Sequence, residues 1–437
     1  MSPKEYFMRA TRSRVAAITL TGVLAVSLTA CAAGGESGES GPVDLTMALW
    51  SSNEDHLALL TQIGDAYVAE HGDEVASITF EPVTNPDYVA GLTTQIAGGD
   101  VPDLAWIPEA SGPEFVDSGI LHNVGDTLET TEGYALDDIL PAALAPWQDE
   151  AGGVYAYPFS NSPFALYVNK DLLAAAGQPD VTALVGTPDY TWHTVTDIAA
   201  ATAGATGSVG LNIPTFNPTN WSAVTMLGNA WGAAPWSADG KTCEFSSPEM
   251  IDYLTWYQEQ MTRGAIPPVS GNAAPAAFAS GDVAFSVAQL SQSGSLDDTF
   301  EWSFLPLPAG PEGYHPIVGQ AGVSVLERSA HTEQAAGFLA YLTNPENAEL
   351  LAQFFPPPRE SLLNVEVLSQ AAPKLSPEEI QSAIIDVVPE ATVKPQNAVL
   401  SQFTDAVRAG LDPVWSGGDV ETAVTGICEQ ISPILEG

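Results

Sequence analysis

The chain has very little positive charge. Its 437 residues carry 12 Lys+Arg against 54 Asp+Glu, a net charge of −42. A surface that negative repels phosphate backbones and argues strongly against nucleic acid as a partner. The same charge keeps a protein soluble in a salty or crowded exterior. The carboxylates form no long run, so they do not make an acidic tail. Cysteine is scarce, with three in all, and so is histidine, with His56, His71, His122, His193, His315 and His331. No histidine stands at metal-ligand spacing from a second histidine or a cysteine, which argues against a metal centre. Catalytic signatures are missing as well. There is no G-x-S-x-G elbow, P-loop, H-E-x-x-H, or G-x-G-x-x-G followed by an acid, and no cofactor is implied. The acidic pairs Asp137-Asp138, Asp149-Glu150 and Asp297-Asp298 read as helix caps or solvated faces rather than as the two carboxylates of a glycosidase. No repeat period appears, and beyond the N-terminus no run is long and apolar enough to cross a membrane.

What is present begins with a targeting segment. Lys4, Arg9, Arg12 and Arg14 precede an apolar stretch, 15–28, that is too short to span a bilayer comfortably. It ends in Leu28-Thr29-Ala30-Cys31, which resembles the lipobox of bacterial lipoproteins; there the Cys thiol becomes a thioether carrying diacylglycerol. Ser13 separates Arg12 from Arg14, so a twin-arginine signal is not supported. Residues 1–30 are therefore expected to be a signal peptide. Cys31 is the expected lipidation site, and the Gly/Ser/Glu-rich stretch 31–42 is a flexible tether. The body beyond it belongs outside the cell, on the outer face of a bacterial membrane. In that oxidising compartment Cys243 and Cys428 either form a disulfide or remain two free buried thiols.

A chain of this length can bury one large core or two of ordinary size. Val43 to Trp50 alternates apolar and polar residues and predicts a strand. The polar loop 51–55 offers N-cap residues, and a helix with Leu59, Leu60, Ile63 and Tyr67 on one face runs to Gly72. A second strand over 75–83, a helix with Tyr88, Leu92 and Ile96, and a short strand over 102–107 complete a β-α-β-α-β rhythm. Ligands of such sheets sit beyond the carboxyl ends of the strands, where Trp50 to Asp55 and Trp106 to Glu109 lie. Further on, Ser247-Pro248-Glu249 is a strong helix start. That helix carries Tyr253, Trp256 and Tyr257, which read as core.

The stretch Tyr155 to Leu173 is an aromatic lead-in, a polar turn over 160–163, an apolar strand over 164–168 and a helix start at Asn169-Lys170-Asp171-Leu172. A chain does this when it crosses between two α/β lobes. This phrase, Phe278 to Phe285, the Gly-punctuated strand 317–325 and the Pro356-to-Ser361 loop resemble, in order and spacing, the extracellular solute-binding proteins that serve ABC-type importers, in the maltose-binding-protein-like branch that carries sugars. The resemblance spans nearly all of the body from Leu45 onward. It implies a two-lobed periplasmic-binding-protein-like fold of type II, each lobe a mixed, mostly parallel sheet flanked by helices, joined by three hinge crossovers. On that basis 43–157 plus 284–330 form the N-terminal lobe and 158–283 plus 331–437 the C-terminal lobe. The resemblance further implies a monomer that hands a sugar to permease subunits and meets the membrane only through the lipid on Cys31.

Ten tryptophans, many beside Asn, Gln or Ser, suit sugar binding. The apolar face of a pyranose stacks on an indole, while its hydroxyls need amide or carboxylate partners. Candidate ligand residues are Trp50, Asn53, Glu54, Asp55, Trp106 and Glu109 on the first lobe. Facing them stand Ser160, Asn161, Asn217, Trp221, Trp231, Trp236 and Trp415, and at the crossings or rim Gln289, Gln292, Gln320 and Arg359. Each tryptophan has the alternative of core packing, and Arg359 that of a salt bridge holding its Pro-rich loop. Other solutes fit less well. A phosphorylated ligand wants several cations; a polyamine wants acids with aromatics, which the first-lobe loop partly offers. A peptide ligand, a secreted carbohydrate-active enzyme and a surface adhesion module are the remaining alternatives.

Overall fold

The structure, a computed structural model, describes residues 41–83, 88–214, 216, 220–269 and 276–436. The expected signal peptide, Cys31 and Asn217 lie outside the described residues.

Two mixed sheets form the frame. In the first, β1 (Val43–Leu49) lies between β2 (Val75–Pro82) and β3 (Leu104–Pro108), parallel to both. The order continues β3, β10 (Ala321–Val325), β4 (Tyr157–Pro158), with β10 antiparallel to both neighbours. The second sheet is centred on β5 (Ser162–Asn169) and runs β11 (Thr392–Val393), β9 (Ile317–Gly319), β5, β7 (Val283–Gln289), β6 (Val209–Asn212). A further strand, β8 (Trp302–Leu305), pairs antiparallel with β5. Antiparallel pairing thus has a larger share than the expected mostly parallel sheets. In the first sheet β10, where the chain returns from the second, supplies it, and in the second the neighbours of β5, namely β7, β8 and β9, do.

Strand periodicity fixes which side chains meet which core. On β1, Leu45, Met47 and Leu49 pack into the cluster that contains Leu60, Ile63 and Phe338, while Ala48 packs with Leu92, Ile107 and Trp147 on the opposite face. On β5, Phe164, Leu166 and Val168 join one cluster and Ala165 and Tyr167 another. All eight residues of β5 are buried, as a strand covered on both faces must be. The expected helix starts form. Asn53 Oδ1 accepts from the Asp55 and His56 amides at the head of the helix Glu54–Glu70, and Ser247 caps Pro248–Thr262. The Cys243–Cys428 disulfide forms and ties the loop after Trp236 to the C-terminal helix Val420–Leu435.

The expected lobe boundaries do not follow the pairing. Strands β7 and β8, placed by the sequence in the first lobe, pair with β5 in the second sheet, and the chain returns to the first sheet only at β10. Conversely the helices Thr332–Leu342 and Pro345–Leu351, expected in the second lobe, bury Phe338, Leu339 and Leu351 against the first sheet. Hydrophobic pattern gives a strand its faces but not its sheet.

Three segments cross between the sheets, at Pro158 to Ser162, Gly319 to Ala321, and Phe355 to Leu363. They lie side by side. The Phe159 amide donates to the Ala321 carbonyl (2.9 Å) and the Asn161 amide to the Pro356 carbonyl (2.8 Å). Crowding beside the second crossing explains the glycine that follows it in β10: a Cβ on Gly322 would stand 2.8 Å from the Trp147 ring and from the Ala156 Cβ.

Candidate functional site

Above the three crossovers the sheets enclose a cavity of about 740 Å³. The crossovers line it with Phe159, Ser160, Gln320, Ala321 and Pro356. The first body supplies the ends of two parallel strands: Trp50, Ser51, Asn53, Asp55 and His56 after β1, and Trp106, Pro108 and Glu109 at the end of β3. Gln353, Phe354 and Phe355 extend that wall. The second body faces it with Gln289, Leu290, Ser291, Ser293 and Gly294 at the end of β7, together with Gln370, Pro373 and Lys394.

The first wall is aromatic. Trp106 is buried, 4.6 Å from Phe159 and 5.6 Å from Phe355 between ring centroids. Trp50 stands edge-on to Trp106 at 5.0 Å and to Tyr88 at 5.3 Å, yet remains 40% exposed. T-shaped contacts of this kind hold an indole in place, and the exposed part of this ring is open to the cleft. Tyr88 is itself fixed by donating to the Ala48 carbonyl. The second wall is mostly amide and hydroxyl. At the floor, Gln320 Oε1 accepts from Trp147 Nε1 (3.0 Å), which orients the amide and leaves its nitrogen without a partner among the described residues.

Polar contacts join the bodies across the cleft. Glu109 Oε1 is ion-paired with Lys394 Nζ, and the ammonium also stands 5.9 Å from the centroid of the Phe164 ring. Farther out, Ser401 Oγ donates to Glu114 Oε1 at 2.7 Å. His56 is wedged between Phe354 and Phe355, each 4.8 Å away, and its Nδ1 meets Ser51 Oγ at 2.9 Å. Burial pushes this imidazole below its ordinary pKa of 6.5, and the Asp55 charge offsets only part of the shift. The contribution follows from the sign. The neutral imidazole stabilises the fold above the unfolded-state pKa, and the contribution is lost as pH falls from there toward the depressed folded-state pKa. A His56→Asn protein is therefore expected to lose less thermal stability between pH 7.5 and pH 5 than the unaltered protein. Paired melting curves check this, and parallel curves would refute it.

Of the residues singled out by sequence, Trp50, Asn53, Asp55, Trp106, Glu109, Ser160, Gln289 and Gln320 line the cavity. Others do not. Trp221, Trp231, Trp236 and Trp415 are buried in the core of the second body, where they pack on Phe245, Trp256, Phe403 and Phe216 respectively. Trp415 is the last residue of the helix Leu400–Trp415. Indoles bury more apolar area against one another than an open wall offers, and that gain decides their place. Trp236 also borders a separate hollow of about 220 Å³ with Thr225, Asn229 and Ile317. Asn161 is buried in the first crossing, Glu54 lies on the outer surface beside Leu57 and Thr61, and Gln292 does not line the cavity although Ser291 and Ser293 do. Arg359 is fully buried in the first body, donating to the Ala135 and Thr343 carbonyls and lying 3.5 Å from Asp138 Oδ2.

Sequence reasoning passed over His56, Phe159, Phe354, Phe355, Gln370 and Lys394. The Phe354-Phe355 pair beside a proline run carried a readable signal. Lys394 carried none, because its partner lies far away along the chain.

Two walls and a floor of crossovers make a cavity between the two bodies, and the described residues hold no cluster of metal-ligating side chains. A family model of bacterial extracellular solute-binding proteins matches residues 62–377, well over half of the chain. The chain belongs to this family. Solved structures agree with the fold of this solute-binding protein. An ABC substrate-binding protein of Listeria monocytogenes in complex with cycloalternan superposes with a TM-score of 0.76 at 20% identity, covering 90% of this chain and 99% of that one. A cyclic α-maltosyl-1,6-maltose binding protein of Arthrobacter globiformis gives 0.73 at 19%, covering 91% and 100%. UgpB of Mycobacterium tuberculosis, in complex with glycerophosphocholine, gives 0.73 at 22%, covering 91% and 99%. At these identities the likeness carries the two-lobed fold, not the ligand.

Proposed function

We propose that this protein is the substrate-binding subunit of an ABC importer that captures a mono- or oligosaccharide in the cleft and delivers it to membrane permease subunits. A lipid on Cys31 holds it, as a monomer, at the outer face of the bacterial membrane. The observation that carries the reading is the pairing of an exposed indole, Trp50, with the amides Asn53, Gln289, Gln320, Gln353 and Gln370 around one cavity. A sugar ring needs both, an apolar face to stack and donors and acceptors for its hydroxyls. The hinged bodies are 43–158 with 321–355 and 162–319 with 363–436, each with its own sheet. Rotation about the three crossovers opens and closes the cleft, and closure marks the loaded state for the permease.

A ligand that binds only the folded protein raises its melting point. A panel of neutral mono- and oligosaccharides, polyamines, short peptides and glycerophosphocholine, followed by thermal shift, is expected to show stabilisation by one or more saccharides. Stabilisation by another class alone would transfer the importer role to that solute. The cleft carboxylates are Asp55 and Glu109, and Glu109 is already paired with Lys394. Turnover of glycosides by the purified protein would overturn the binding reading in favour of an enzyme.

A further inference from the structure

The charged side chains lining the cleft are Asp55, Glu109 and Lys394, with His56 held toward its neutral form by burial. Lys394 is the single Lys or Arg among them, and its ammonium is not free. It is paired with Glu109 from the opposite body, and both side chains are largely buried, with 22% and 7% of their surface exposed. An anionic ligand therefore meets no unpaired cation. To reach the ammonium it must displace Glu109, and failing that it sits beside two carboxylates. A neutral ligand faces neither cost, because it needs only hydroxyl partners.

We infer that Glu109 is a specificity-determining residue: by neutralising Lys394 it restricts the cleft to uncharged, hydroxyl-rich ligands and rejects uronic acids and phosphate esters. This rests on the reading of the cleft as a saccharide site and adds the charge of the saccharide. Discrimination of this kind works by withholding a partner from the wrong ligand as much as by supplying one to the right ligand. The same pair bridges the two bodies, so the contact that joins the cleft also sets its charge.

The test is calorimetric titration of the intact protein with two matched probe pairs, maltotriose with maltotrionate and galactotriose with trigalacturonate. The unaltered protein is expected to favour the neutral member of a pair. In Glu109→Gln the ratio of anionic to neutral affinity should rise by roughly tenfold or more, since an uncompensated ammonium then faces the ligand. The double variant Glu109→Gln/Lys394→Met should return the ratio to about its starting value. Lys394→Met alone, with two carboxylates unopposed, should weaken the anionic probe further; its melting curve shows independently that the protein folds. Neutral binding with an unchanged ratio in Glu109→Gln, or anionic preference in the unaltered protein, overturns the charge filter and leaves the saccharide reading standing. Failure of every probe to bind the unaltered protein overturns the saccharide reading and this inference with it.

Discussion

In an Arg359→Met protein the free energy of unfolding should fall by about 3–5 kcal/mol, the usual cost of removing one partner of a buried, hydrogen-bonded charge. The guanidinium is fully buried, with Nη1 donating to the Ala135 carbonyl at 2.9 Å and Nη2 to the Thr343 carbonyl at 2.8 Å. It faces the rings of Tyr134 and Tyr157, 4.8 and 5.6 Å from their centroids. Methionine fills much of the volume but leaves both carbonyls without that donor. Ala135 is the one non-glycine among the described residues with a left-handed backbone, φ 51°, so its turn depends on the grip on its carbonyl. Asp138 differs. It is partly exposed, and it also accepts from the Ser361 amide and hydroxyl. Asp138→Asn should therefore cost about 1 kcal/mol or less. Urea unfolding of the two variants separates them. A loss below about 1 kcal/mol for Arg359→Met would show that the third crossover does not depend on its buried cation.

The fold was largely legible because its signals are local. Alternation at Leu45, Met47 and Leu49, the Ser247-Pro248 helix start and the polar turn between two apolar runs at 158–164 each act over a few residues. Sheet membership is not local. β7 reads as a strand from its own residues, but its pairing with β5 joins Phe164 to Gln289 across more than a hundred residues of chain. No pattern within 283–289 distinguishes one sheet from the other. The disulfide was open for the same reason, since spacing alone does not bring Cys243 to Cys428.

The site divided along the same line. Residues at the carboxyl ends of β1 and β3 were readable, because a parallel strand end beside a helix start is a place where ligands sit. Trp50 and Trp106 were found in this way. Trp221, Trp231, Trp236 and Trp415 also stand near Asn, Gly or Ser in sequence but turn inward, Trp221 and Trp236 onto each other and the four onto Phe245, Trp256, Phe403 and Phe216. A tryptophan beside Asn or Ser looks alike whether its ring meets a sugar or another ring. Arg359 was ambiguous between ligand and scaffold, and its burial resolves it as scaffold.

Trp50→Ala should weaken binding of the saccharide found in the thermal-shift panel by roughly 100-fold, equivalent to about 2.7 kcal/mol. The reasoning is again one of position. Trp50 and Tyr314 are the exposed large hydrophobic side chains among the described residues, and Trp50 alone of the two lines the cleft. An indole left 40% exposed, though in contact with two aromatic rings, gains the rest of its burial only when something covers it. For the same reason its removal should shift the melting point of the ligand-free protein little. A stacked ring also predicts a graded series. Trp50→Phe keeps a smaller face and should lose roughly tenfold, whereas Trp106→Ala, which empties a buried position against Phe159 and Phe355, should lower stability and affinity together. Titration calorimetry and melting curves on the three variants separate the platform from its support. If affinity in Trp50→Ala stayed within about twofold, the indole would be a rim residue and the ligand would bind to the amide wall alone.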